Sequence, residues 1–207
     1  MIYLILSSIY IGALLLSPIF NTKIATIGSW QFLAWTLMIP ILSGVMDTIN
    51  NNYGKAAARR TLGTALIVRM IFYLGIFPLI FLLPSVRDMG VDELFKQSFR
   101  NFLVSQGMTF IGRYYVEIPI FSKVKGWFLA KYGIAGAAFT LFKGALQTFL
   151  MYVGVEKVEV LSLMVTDSAT KYGMLMVGSP FGIILNKIVK RLRKNELCQT
   201  KNSPSGL

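Results

Sequence analysis

IYLILSSIYIGALLLSPIF, residues 2–20, is an apolar run that contains no charged side chain. A helix needs roughly 20 mainly apolar residues to cross about 30 Å of hydrocarbon, so this run predicts a membrane-spanning helix. The run lacks the basic start and the small-residue cleavage site of a signal peptide. We therefore expect a retained first span.

Five more runs of similar length follow, each bounded by charged residues or by Pro and Gly. A polar stretch, residues 85–101, separates the first three runs from the last three and predicts a loop with a short helix on the membrane surface. The expected fold is all-α: one domain over residues 1–194 with six membrane spans, followed by a disordered tail over 195–207. The spans are predicted near residues 2–20, 29–46, 63–83, 102–121, 132–155 and 160–188.

The composition agrees with a membrane protein. The 207 residues are 55% hydrophobic and 14% charged, whereas soluble domains are about 25% charged, and the mean hydropathy is +0.61. Most lysines and arginines outside the spans fall in the second and fourth loops and the C-terminal tail, so the positive-inside rule predicts cytoplasmic termini. The chain has no histidine and one cysteine, Cys198, which excludes disulfide frameworks and Cys/His zinc or catalytic sites.

Ionisable residues inside the predicted spans are the first candidates for function, because burying charge in a bilayer is costly. Asp167 and Lys171 are spaced i, i+4 with the acid first, the favoured order for a helical ion pair. The alternative is a self-neutralising pair that contributes only to packing. Arg113 and Glu117 repeat the spacing in reverse order and lie closer to the predicted cytoplasmic boundary, where long side chains reach water more easily.

Two further candidates are polar side chains at span ends or beside other cations. Asp47 closes the second span ahead of an asparagine run that includes Asn51, and a carboxylate beside amides suits a polar heterocycle. Asp47 is equally compatible with a cap or turn at the boundary. Gln147 lies one helical turn after Lys143, which would place an amide next to a cation.

The segment PILSGVMDTINNNYGKAAARR, residues 40–60, resembles the queuosine precursor transporter family, also called the vitamin uptake transporter family. In that family a proline and an aspartate are followed, seven residues after the aspartate, by a glycine and then by an Ala-Arg pair. The corresponding residues here are Pro40, Asp47, Gly54, Ala58 and Arg59.

The resemblance continues in two later segments, EIPIF at residues 117–121 and DSATK at residues 167–171, and the family has six spans. The chain departs from the family at three positions. Asn51 and Gln147 stand where many members have carboxylates, and Glu117 replaces an aspartate.

The resemblance implies import of the queuosine precursors 7-cyano-7-deazaguanine and 7-aminomethyl-7-deazaguanine across the bacterial cytoplasmic membrane. The expected partners are this 7-deazapurine substrate and the lipid bilayer, with a homo-oligomer left open and no nucleic acid. No enzymatic activity, metal or cofactor is expected. Two alternatives stay open: a substrate-binding subunit of an ATP-driven vitamin importer, and a membrane enzyme acting on lipid head groups. The predicted substrate-binding residues are Asp47, Asn51, Glu117, Gln147, Asp167 and Lys171.

Overall fold

A computed structural model describes residues 1–20, 24–27, 30–76, 107–151 and 168–202 of the chain. This part of the chain is helical apart from one two-stranded antiparallel hairpin, so the predicted all-α class is confirmed at that level. The elements are α1 (Ile2–Phe20), β1 (Ile24–Ile27), β2 (Trp30–Leu33), a 3₁₀ turn (Ala34–Met38), α2 (Ile39–Met70), a π-helical end (Ile71–Ile76), α3 (107–123), α4 (Phe128–Met151), α5 (Ser168–Val177) and α6 (Ser179–Asn202).

Helix α1 begins and ends where the apolar run predicts. Its buried side chains Leu6, Tyr10 and Leu14 recur every four residues, whereas Ile5 and Ile9 are exposed. That spacing places one stripe of the helix against the core. Helix α1 is therefore apolar on its outer side as well as on its buried side.

Helix α2 is broken into two arms at Gly54. The glycine has φ 85° and ψ 170°, a backbone conformation that is essentially restricted to glycine. The residues before and after it have helical geometry, so the arms cover residues 39–53 and 55–70. Both arms contribute to the same apolar core, with Val45 and Ile49 from the first and Leu62 and Ala65 from the second.

Contacts along α1 show that the chain reverses direction near Gly54. The start of α1 touches both arms close to the break, while its middle lies beside the first arm and its end lies beside the second. The first arm is thus antiparallel to α1 and the second arm is parallel to it. The contacts are Tyr3 with Tyr53 (ring centroids 5.4 Å apart) and with the Thr61 hydroxyl (3.0 Å), Tyr10 with Asp47 (electrostatic), and Arg69 with the Ser17 hydroxyl (3.5 Å).

Two glycines let α2 approach α6 closely. A Cβ added to Gly44 would lie 3.2 Å from the Cα of Gly182, and one added to Gly182 would lie 3.4 Å from the Cα of Gly44. The backbones meet at this crossing without side chains between them. Helix α6 is held against the first arm of α2 as a result.

Several predicted span boundaries differ from the helices. The predicted second span, 29–46, begins with strand β2 and the 3₁₀ turn, and the helix starts only at Ile39, with Pro40 in its first turn, where a missing N–H costs no helical hydrogen bond. The predicted loop that follows is helical on both sides of Gly54. The tail predicted as disordered continues α6 as far as Asn202.

The remaining predicted spans overlap described helices in part. The third is helical up to Ile76, the fourth corresponds to α3, and the fifth corresponds to α4 with an earlier start at Phe128. The sixth corresponds to α5 and α6, which bend at Gly178. Residues 77–83, 102–106, 152–155 and 160–167 of the predicted spans lie outside the described part.

In the described part of the chain, no single helix is both long and apolar enough to cross a membrane. One pair of consecutive helices, Ser168–Val177 and Ser179–Lys194, meets the length and composition requirements together and is bent by 45°.

Polar and apolar side chains are distributed in an unusual way over the described residues. Large aliphatic side chains are exposed on several helices, among them Ile67, Leu141 and Ile184. Ionisable and amide side chains are buried inside, and these include Asp47, Asn50, Asn52, Arg69, Arg113, Glu117, Lys143, Lys171 and Asn186. The charged centre described below lies in this interior.

Candidate functional site

The structure brings two of the six predicted site residues together. Asp47 on the first arm of α2 and Glu117 on α3 are both fully buried and interact electrostatically. Asn51 lies one helical turn after Asp47 but faces α6. Lys171 is buried on α5. The Gln147 side chain and Asp167 lie outside the described part of the chain.

Arg113 joins Asp47 and Glu117, and these three residues form what we call the charged centre. The Arg113 guanidinium forms an ion pair with Glu117, with Nη1 2.6 Å from Oε2, and donates through Nη2 to the Ser43 hydroxyl at 3.1 Å. Its Cζ lies 4.7 Å from the centre of the Phe139 ring. The i, i+4 pair indicated by the sequence is therefore present, but it is buried instead of reaching a water-exposed boundary.

The backbone that carries this pair is π-helical. Residues Gly112–Glu117 form the wider turn, and the N–H of Ile118 donates to the carbonyl of Arg113, five residues earlier. Single π turns within α-helices often occur at functional sites. A Cβ on Gly112 would lie 2.9 Å from Phe139, so the missing side chain lets α4 approach the turn.

Asp47 differs from Glu117 in how its carboxylate is satisfied. Neither of its carboxylate oxygens has a hydrogen-bond partner among the described residues, although the side chain is fully buried. Its electrostatic neighbours are Glu117, which repels it, and Arg113, which is already engaged by Glu117 and Ser43. A buried carboxylate without partners is costly. The site is therefore arranged to accept hydrogen bonds from something that this part of the chain does not supply.

Three more polar side chains from α1 and α4 surround the charged centre. Tyr10 and Tyr132 are buried, lie close enough to Asp47 for an electrostatic interaction, and have hydroxyl groups without a hydrogen-bond partner in the described residues. Lys143 is buried and interacts electrostatically with Glu117. Sequence reasoning missed both tyrosines, because a tyrosine in an apolar helix is usually a packing or interfacial residue.

Together these groups can bind a small polar molecule. The Asp47 carboxylate offers two acceptor oxygens, and the two tyrosine hydroxyls can donate or accept. Arg113 has a fixed fork of donors, but Glu117 and Ser43 use part of it. The arrangement favours a ligand that presents neighbouring N–H groups to Asp47.

The asparagines that follow Asp47 have a different role in the structure. Asn51 and Asn52 both donate through Nδ2 to the Oδ1 atom of Asn186 on α6, at 3.1 and 2.8 Å. Asn50 donates to the carbonyl of Ile118 on α3 at 3.1 Å and accepts from Ser122 at 3.2 Å. The asparagine run therefore links the first arm of α2 to two other helices.

Two arginines strengthen the same end of the helix bundle. Arg193 on α6 donates to the backbone carbonyl of Asn52, and its Cζ lies 5.3 Å from the centre of the Tyr53 ring. Arg59 on the second arm lies over the Tyr114 ring of α3, 4.2 Å from its centre. These contacts give the polar residues around Gly54 a structural function in holding the helices together.

Comparisons with protein-family models, with curated proteins and with solved structures found no match to this chain. The resemblance in the segments 40–60, 117–121 and 167–171 accordingly stays a prediction from sequence.

Proposed function

We propose that the chain is a polytopic transporter of the bacterial cytoplasmic membrane that imports 7-deazaguanine precursors of queuosine. The observation that carries this proposal is the fully buried Asp47 carboxylate, whose two oxygens have no hydrogen-bond partner within the described residues. A binding site that is complete only with its ligand would leave such a group. The segments that resemble the transporter family contain the same aspartate.

The distribution of polar and apolar side chains supports a membrane location. In water, apolar side chains are buried and charges face the solvent. Here Ile67, Leu141 and Ile184 are exposed while Arg113, Glu117 and Lys143 are buried. In a bilayer, ionisable side chains face the interior of the helix bundle and commonly mark the path of a substrate.

The chemistry of the charged centre fits one edge of the proposed substrate. A guanine-like ring presents a ring N–H beside an exocyclic amino group, so it offers two parallel donors. The two oxygens of Asp47 can accept both, as a carboxylate does with an arginine fork. Tyr10 and Tyr132 supply hydroxyl groups for the remaining polar atoms. Alternating access would then expose this centre to one side of the membrane at a time.

Uptake in cells tests the proposal. The chain is expressed in a bacterium that can neither make nor import queuosine precursors, each base is supplied at low concentration, and queuosine in tRNA is measured. We expect recovery with the wild-type chain. Asp47→Asn should reduce initial uptake by about tenfold or more, because its NH₂ group faces the donors of the base and one acceptor is lost.

The amount of protein in the membrane is the control for every strain. Asp47→Asn has the size and shape of the native side chain, so reduced uptake at equal membrane abundance separates binding from folding. If the wild-type chain restores no queuosine while present in the membrane, the proposed substrate is wrong. If Asp47→Asn imports at the wild-type rate, the assigned site is wrong.

A further inference from the structure

Helix α6 presents two different sides over residues 179–194. Gly182, Asn186 and Val189 are buried and lie on one side of the helix at 100° per residue. Gly182 meets Gly44 of α2, and Asn186 accepts from the asparagines of α2. This side attaches α6 to the rest of the molecule, and the opposite side is exposed.

The exposed side is divided into an apolar stripe and a basic stripe that run next to each other. Both stripes have the three- and four-residue spacing of one helix face. No acidic residue occurs between Ser179 and Lys194, so nothing on this part of the helix neutralises the basic stripe. The apolar stripe consists of Phe181, Ile184, Ile188 and Leu192, and the basic stripe of Lys187, Lys190, Arg191 and Lys194.

An open cleft of about 430 Å³ lies where the two stripes meet. The described residues that line it are Ile184 and Ile188 from the apolar stripe and Lys187, Lys190 and Arg191 from the basic stripe. One wall is therefore aliphatic and the other carries three positive charges. We call this feature the basic cleft.

We propose that the basic cleft binds an anionic phospholipid. The phosphodiester would lie against Lys187, Lys190 and Arg191, and an acyl chain would follow Ile184 and Ile188. A soluble phosphate would need only the cations, whereas a lipid uses both walls of the cleft. Basic residues at the membrane surface attract anionic lipids, and adjacent aliphatic residues add apolar contact.

Lipid binding to the purified full-length chain tests this proposal independently of transport. The protein in mild detergent is mixed with phosphatidylglycerol or phosphatidylcholine, and bound lipid is counted by native mass spectrometry. We expect roughly tenfold tighter binding of phosphatidylglycerol, because three cations face its phosphate and phosphatidylcholine carries a compensating positive charge. The triple variant Lys187→Gln, Lys190→Gln, Arg191→Gln should bind both lipids almost equally.

A second triple variant keeps the change in net charge the same. Arg60→Gln, Lys123→Gln, Lys125→Gln removes three cations from exposed positions elsewhere, and it should retain the preference for phosphatidylglycerol. Ile184→Ser with Ile188→Ser should weaken binding of both lipids. Equal binding of the two lipids by the wild-type chain would overturn the proposal, as would an unchanged preference in the first triple variant. Displacement of the lipid by an equal concentration of glycerol phosphate would show an anion site instead of a lipid site, and would also overturn it.

Discussion

Arg113 and Glu117 depend on each other because both side chains are almost completely buried. Glu117→Gln leaves the guanidinium without its counterion, and breaking a buried pair from one side typically costs about 3–5 kcal/mol. We expect a loss of this size in the free energy of unfolding, measured by denaturant titration in detergent. Replacing both partners together, with Arg113→Met and Glu117→Leu, should cost less than Glu117→Gln alone. A double variant that is as unstable as the sum of its single variants would contradict this coupling.

Asp47 and Asn51 were both predicted to bind substrate, but their contacts differ. Asp47 belongs to the charged centre, whereas Asn51 donates to Asn186 of α6. Asn51→Ala should therefore lower the free energy of unfolding by about 1 kcal/mol, the usual net value of one hydrogen bond. Initial uptake per molecule should stay close to that of the wild-type chain. A large loss of uptake in Asn51→Ala, with normal stability and membrane abundance, would return Asn51 to the binding site.

At this scale the sequence predicted spacing better than surroundings. The four-residue separation of Arg113 and Glu117 indicated the ion pair that the structure contains. It did not indicate that Tyr10 of α1 and Tyr132 of α4 lie near Asp47, because such proximity depends on how separate helices pack. An apolar neighbourhood in sequence also conceals a polar hydroxyl, which is why neither tyrosine was a candidate.

Among the secondary-structure elements, α2 is the most sensitive to a single backbone position. Gly54→Ala places a Cβ on a residue with φ 85°, which should destabilise the folded chain by about 1–3 kcal/mol. Gly63→Ala is the matched control, because Gly63 lies inside the second arm and an added Cβ meets nothing within 4 Å. The control should be neutral or stabilising by up to about 1 kcal/mol. Thermal unfolding of both variants in the same detergent measures the difference, and equal midpoints would contradict a strained reversal at Gly54.

Element boundaries could be predicted where apolar length and charge coincide and not elsewhere. Helix α1 matches its prediction because an uncharged run and its helical stripe have the same ends. The hairpin β1–β2 was missed because Trp30 and Phe32 resemble the aromatic start of a span. The helical geometry on both sides of Gly54 was also missed, since polar residues between two apolar runs are typical of a loop.

For the whole molecule, the predicted topology places the C-terminal tail in the cytoplasm. Cys198 is the only cysteine, so it can report on that side without other changes. A membrane-impermeant maleimide should leave intact cells unlabelled and should label the chain after permeabilisation. A variant with Cys198→Ser and Gln97→Cys, in the loop predicted outside, should be labelled in intact cells. Labelling of Cys198 from outside intact cells would reverse the topology.

Six spans and the orientation of the chain follow from hydropathy and from the distribution of lysine and arginine, and both stay predictions. What the sequence could not supply is the arrangement of helices around a common interior. The reversal at Gly54 lets α1 lie between two arms of opposite direction, and glycines 44 and 182 let α6 approach the first arm. Such placements depend on three-dimensional packing, to which no single segment commits.

The π turn at Gly112–Glu117 makes the molecule sensitive to chain length as well as to residue identity. This turn holds one more residue than an α-helical turn would. Deleting the exposed Tyr115 would let the helix close in ordinary α-helical register and would rotate the residues after it by about 100°. Ile118 and Phe121 would then leave their buried positions, or Arg113 would leave the ion pair. Insertions and deletions in this segment are therefore expected to be tolerated less well than most substitutions, even at its exposed positions.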